Sequence, residues 1–136
     1  MSIIYTTHND LDPHYWPVPL ELEWLDGWWY RLSTPFAFVD DDGTIYQAPA
    51  GYLTNGASVP RSCWPIMFSP TGPELPMGVI HDWLYDVGRL PRPAADLLLL
   101  KMAHHCPGVS RLKAATMYYA VRWFAAGHYH EKRCTP

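Results

Sequence analysis

Cysteine is scarce in this 136-residue chain: Cys63, Cys106 and Cys134 are all there is, and no Cys-x-x-Cys occurs. An odd, scattered set argues against a disulfide framework and for folding in a reducing compartment, although one disulfide with a thiol left over stays open. No apolar run approaches the roughly 20 residues that a membrane-spanning helix needs. The first residues, Met1-Ser2-Ile3-Ile4-Tyr5, carry no basic segment and no long apolar one, so no signal peptide is expected. Positive charge is not in excess either. A net charge of −3 gives no general electrostatic reason to bind nucleic acid.

Aromatic residues, by contrast, are plentiful. Seven Trp and nine Tyr, with 49% hydrophobic and only 17% charged residues, point to a folded chain with a dense core. The length suits one domain over 1–136. Residues 1–18 read as an irregular, Pro-punctuated arm. Residues 19–57 read as β-rich: Leu20-Glu21-Leu22-Glu23-Trp24 alternates with period two, and residues 28–32 and 36–39 are further strand candidates. Asp40-Asp41-Asp42-Gly43 is a turn signal, and Thr44-Ile45-Tyr46-Gln47 returns as the hairpin partner.

Residues 58–127 read as helical, with helices expected at about 77–87, 93–105 and 111–126, the last capped by Ser110. They are separated by Gly88, by Pro91 and Pro93, and by Pro107-Gly108. The third, apolar nearly all round, is expected to be the central core helix. Residues 128–136 form a polar tail. Strands first and helices after predict an α+β fold, an N-terminal antiparallel β-meander packed on a C-terminal three-helix unit.

Chemistry concentrates in His81-Asp82-Trp83-Leu84-Tyr85 and Asp96. His81 and Tyr85 are four apart and share one flank of the first helix's apolar stripe. That placement predicts His81 at a boundary between core and water, with Asp82 and Asp86 further toward solvent. Asp96 opens the apolar stripe of the second helix, continued by Leu99, Leu100 and Ala103. A carboxylate there needs a partner. His81, Tyr85, Arg61 and Arg122 are the candidates. Two readings stay open: a hydrogen-bonded hub that pins two helices, or a base with an orienting acid. The zinc-type residues His104, His105, Cys106, His128, His130 and Cys134 match no standard spacing. Trp16, Trp24, Trp28 and Trp29 are candidate anchors for docking a partner.

Two segments carry a resemblance. Ala48-Pro49-Ala50-Gly51-Tyr52-Leu53-Thr54-Asn55-Gly56-Ala57-Ser58-Val59-Pro60-Arg61 resembles the PaGfxTDgASxPR block of domain-of-unknown-function family 1353. His81-Asp82-Trp83-Leu84-Tyr85 with Arg92 and Asp96 resembles its HDxLY…R..AD block. The chain departs at Asn55, where that family usually has Asp. The resemblance implies a bacteriophage or prophage protein, made in the host cytoplasm and, in one reading, carried in the virion.

The His-Asp-x-x-Tyr helix also resembles that of phospholipase A2, without that family's flanking cysteines. It implies calcium-assisted ester hydrolysis on a lipid or cell-envelope substrate. His81 would be the base, Asp82 the metal ligand (with Asn55 as a second oxygen), and Tyr85 and Asp96 the orienting groups. The alternative is a non-enzymatic tail, capsid-associated or assembly component that binds phage structural proteins.

Overall fold

The computed structural model describes residues 4–7, 9–25, 29–54 and 72–124. Four strands form one antiparallel sheet: β1 (Ile4–Thr7), β2 (Leu20–Trp24), β3 (Tyr30–Leu32) and β6 (Leu53–Thr54), in the order β1-β2-β3-β6. β4 (Phe36–Val39) and β5 (Ile45–Ala48) pair as a separate hairpin. Three helices follow: α1 (Leu75–Val87), α2 (Arg92–Ala103) and α3 (Arg111–Phe124). The fold is α+β, strands first and helices after.

Local chemistry explains most boundaries. The period-two pattern of β2 puts Leu20 and Leu22 in the core and leaves Glu21 and Glu23 at the surface side. In the β4–β5 turn, Gly43 takes a φ of 85°, which suits a residue without Cβ, and its N–H donates to the Asp40 carbonyl at 2.9 Å. Asp42 closes the turn by accepting from the Thr44 N–H. α1 stops at Gly88, which is left-handed (φ 60°) and donates back to the Leu84 carbonyl. The expected Ser110 cap is present: its hydroxyl accepts from the Lys113 N–H at 3.1 Å.

Three expectations are corrected. The arm contains a strand, β1, supported by its pairing with β2; a four-residue edge strand carries little pattern of its own. Trp16 is not a docking anchor. It is only 2% exposed, its ring lies 5.5 Å from Phe36 and 4.8 Å from Phe38, and its indole N–H donates to the His105 carbonyl at 3.0 Å.

The third correction concerns the core helix, which is α1 and not α3. α1 is buried from Leu75 through Ile80 and again at His81, Trp83, Leu84 and Tyr85, because it packs against β4, β5 and β6 as well as α2. On α3 the strip Ala114, Met117, Ala120 and Val121 is buried, while Leu112 (79%) and Trp123 (73%) face water. Counting Tyr and Trp as wholly apolar hid that strip, since both tolerate partial exposure. Trp24 and Trp29 are exposed, and Trp28 lies outside the described residues.

Candidate functional site

α1 presents two neighbouring rows of polar side chains to two different partners. His81 and Tyr85 face α2 and meet Asp96. Asp82 and Asp86 face the sheet side and meet Tyr52, and Asp82 also meets Thr54 just past it. Helical spacing separates the rows, since residues four apart stack while adjacent ones diverge.

The first row ends in a closed hub. His81 Nε2 lies 2.8 Å from Asp96 Oδ1, and the Tyr85 hydroxyl donates to the same oxygen at 2.5 Å. Arg122 Nη1, from α3, donates to Oδ2 at 2.8 Å. Arg92 Nε stands 4.0 Å from Oδ2 and donates to the Tyr85 hydroxyl at 3.3 Å. His81 and Asp96 are both 0% exposed. Three of the four partners expected for Asp96 are therefore in reach, or in contact, across three helices. Arg61 lies outside the described residues, and His81 is buried instead of lying at the water boundary. Helical spacing alone predicts a wet flank for α1, but packing on two sides removes it.

Arg92 was not among the expected partners. Its signal was the four-residue spacing to Asp96, which puts both on one face of α2. Its Nη2 also donates to the carbonyls of Val121 and Arg122, at 2.7 and 2.6 Å. Those carbonyls lie in the last described turn of α3, toward the negative end of the helix dipole.

The electrostatics follow from this geometry. Burial pushes the Asp96 carboxyl up, but the hydrogen bonds from His81, Tyr85 and Arg122 outweigh it, and its pKa is lowered overall. Asp96 is an anion with both oxygens engaged. Burial first, and then the Asp96 charge, raise the pKa of Tyr85, which stays a hydroxyl. The other nitrogen of His81, Nδ1, is buried and has no hydrogen-bond partner among the described residues. A hydrogen there would be a buried donor with nothing to accept it, at a cost of about 1–3 kcal/mol. In a neutral ring this favours the hydrogen on Nε2, facing Asp96, with the lone pair on Nδ1.

The second row is differently built. Asp82 is half-buried and Asp86 exposed, both nearer solvent than His81, as the row order predicts. Asp82 Oδ2 accepts from the Thr54 hydroxyl at 2.9 Å and lies 3.2 Å from the Tyr52 hydroxyl, which is 2.5 Å from Asp86 Oδ2. Burial and the two carboxylates raise the Tyr52 pKa. Tyr52 and Thr54 both stand in the 48–61 block that carries the family resemblance, but a Tyr and a Thr near a strand end read from sequence as core and ladder residues. Among the described residues, no group of three or more His, Cys, Asp or Glu is placed to hold a metal ion. Asn55, the other expected oxygen ligand, lies outside them. The described side chains thus do not make a calcium site by themselves, and no chemical step is routed through one.

An α+β chain whose helices are joined through a buried His–Asp–Tyr–Arg cluster is the class that fold and site define. Within it, residues 30–121 match the family model described as "Protein of unknown function (DUF1353)", and this chain belongs to that family. It is also 34% identical over 94 residues to "Uncharacterized protein y4jT" of Sinorhizobium fredii (strain NBRC 101917 / NGR234). That stretch is 68% of this chain and 27% of the relative, so the chain accounts for about a quarter of that protein's length. No solved structure matches. The matched span takes in every member of the hub except Arg122, one residue beyond its end.

Proposed function

We propose that this chain is a small ester hydrolase of phage or prophage origin in which His81 is the base. The observation that carries the reading is the state of its ring. Nε2 lies 2.8 Å from the buried carboxylate of Asp96, and Nδ1 has no hydrogen-bond partner among the described residues, the surroundings that suit a neutral ring with its hydrogen on Nε2. That is the arrangement in which a third group fixes the tautomer of a catalytic imidazole. In the proposed step, which requires the packing over the ring to open and admit substrate, Nδ1 takes a proton from water as the oxygen attacks an ester carbonyl. The imidazolium so formed is steadied by Asp96. The leaving alkoxide recovers the proton from Nδ1. Asp82, held by Thr54 and facing another side of α1, orients the polar part of the substrate.

The test uses the purified full chain. It is incubated with phosphatidylglycerol–phosphatidylethanolamine vesicles and, separately, with a soluble nitrophenyl ester, each with calcium and with chelator. The expected result is acid release that His81→Gln abolishes while leaving the fold intact. No release from either ester under either condition overturns the reading. Release that survives the chelator removes the calcium-assisted version.

A second reading is favoured by a different observation: His81 and Asp96 are wholly enclosed, and both Asp96 oxygens are engaged. In it the cluster only locks the helices, and the protein is a virion or assembly component docking through exposed aromatics such as Trp24 and Trp29. It predicts that His81→Gln folds and supports phage production at the level of the parent.

A further inference from the structure

Asp96 cannot orient His81 unless something orients Asp96. A carboxylate rotates about its Cβ–Cγ bond, and only groups on both oxygens fix its plane. Oδ1 is taken by His81 and Tyr85, both from α1. Two arginines stand near Oδ2, but they are not equivalent. Arg92 spends Nη2 on the Val121 and Arg122 carbonyls and Nε on the Tyr85 hydroxyl, and stays 4.0 Å from the carboxylate. Arg122 alone among the described residues donates directly to Oδ2, at 2.8 Å. It reaches in from α3, with its side chain 28% exposed, so the last clamp on a wholly buried pair comes from the surface.

We infer that Arg122 is a positioning residue, which holds the Asp96 carboxylate in the rotation that presents Oδ1 to His81 Nε2 and so keeps the Nδ1 lone pair in place. This rests on the reading of His81 as the base. Without Arg122, the carboxylate turns toward Arg92, the Nε2 contact lengthens, and the ring hydrogen exchanges between the two nitrogens. The Arg122 carbonyl, which accepts from Arg92, is backbone and survives any side-chain replacement. The packing of α2 on the end of α3 is thereby kept.

The experiment compares the parent chain with Arg122→Gln and Arg122→Lys. Long-range nitrogen–proton NMR of the His81 ring at neutral pH is read beside ester-hydrolysis kinetics. The parent is expected to show one pyrrole-type nitrogen, Nε2, and one pyridine-type nitrogen, Nδ1. In Arg122→Gln the two signals move toward each other, and kcat falls about tenfold at unchanged KM. Arg122→Lys keeps the charge but not the planar fork, and falls between.

Distinct, unmoved ring signals in a folded Arg122→Gln overturn the positioning role. A parent chain with its hydrogen on Nδ1 overturns the reading of His81 as base instead, so the two failures are told apart without any activity. Should Arg122→Gln not fold, Arg122→Lys decides: parental ring signals and parental kcat there overturn the proposal.

Discussion

The two polar seams of α1 begin one residue apart, at His81 and Asp82, and use the same materials, aspartate and tyrosine. Their balance of charge is opposite. At the Asp96 hub, one carboxylate meets a histidine ring, a phenol and two guanidinium groups, all but the guanidiniums fully buried. At the Tyr52 seam, two carboxylates converge on one phenol, which has a single hydrogen to give. The first seam is deep and oversupplied with donors. The second is shallower, and the donors described there are two hydroxyls, those of Tyr52 and Thr54. Depth and donor supply go together for a physical reason: a buried anion is tolerated only when hydrogen bonds and opposite charge replace its water, while a half-exposed one can keep water instead.

The largest effect that sharpens this contrast is expected at Asp96. Replacing it with Ala leaves His81, Tyr85 and Arg122 without their common acceptor, and we expect a loss of about 3–5 kcal/mol in urea unfolding. A loss below about 1 kcal/mol, the range of exposed pairs, would erase the distinction between the seams. Asp96 also sets a pH dependence. Its pKa is depressed in the folded state, so its stabilisation is complete above the ordinary unfolded value of about 4. It is lost as pH falls through the lower folded value. Acid titration followed by tryptophan fluorescence should show this limb in the parent. Asp96→Asn should flatten it, and an unchanged acid limb in that variant would count against an ionised Asp96.

The matched tyrosines come next. Tyr85→Phe removes a buried donor to a charged acceptor and is expected to cost about 1.5–3 kcal/mol. Tyr52→Phe removes a donor that Asp86 can replace with water, and about 0.5–1 kcal/mol is expected. Equal costs would break the comparison. The smallest effect is at Asp86→Asn. It relieves like charge four residues from Asp82 and should be neutral or stabilising by roughly 0.2–0.5 kcal/mol. A clear destabilisation there would show that the second seam needs both charges.

How much of this was legible in the sequence differs by seam. The hub was largely readable, because a carboxylate at the head of an apolar stripe demands partners and helical spacing limits which ones exist. His81, Tyr85 and Arg122 followed from that demand. The depth of His81 did not, because one helix's stripe says nothing about a second layer packed on its other side. Asp82's partners were not legible either. Tyr52 and Thr54 lie 30 and 28 residues away in the chain, on and near a two-residue strand whose pairing depends on where β3 ends. The α+β order was readable from turn and cap residues. Which helix sits at the centre was not, since it depends on how many faces each helix has covered.

Trp16 carries a consequence for the order in which the molecule is made. Its indole is latched to a carbonyl 89 residues further along the chain, stacks on Phe36 and lies tilted against Phe38. A ribosome adding roughly 5–20 residues per second delivers His105 about 4–18 s after Trp16. Through that interval the arm has its aromatic neighbours but not its latch. The hairpin can form early, and the arm is locked only when the turn after α2 emerges. Such long-range closure secures the segment around Trp16 well after that segment has been translated.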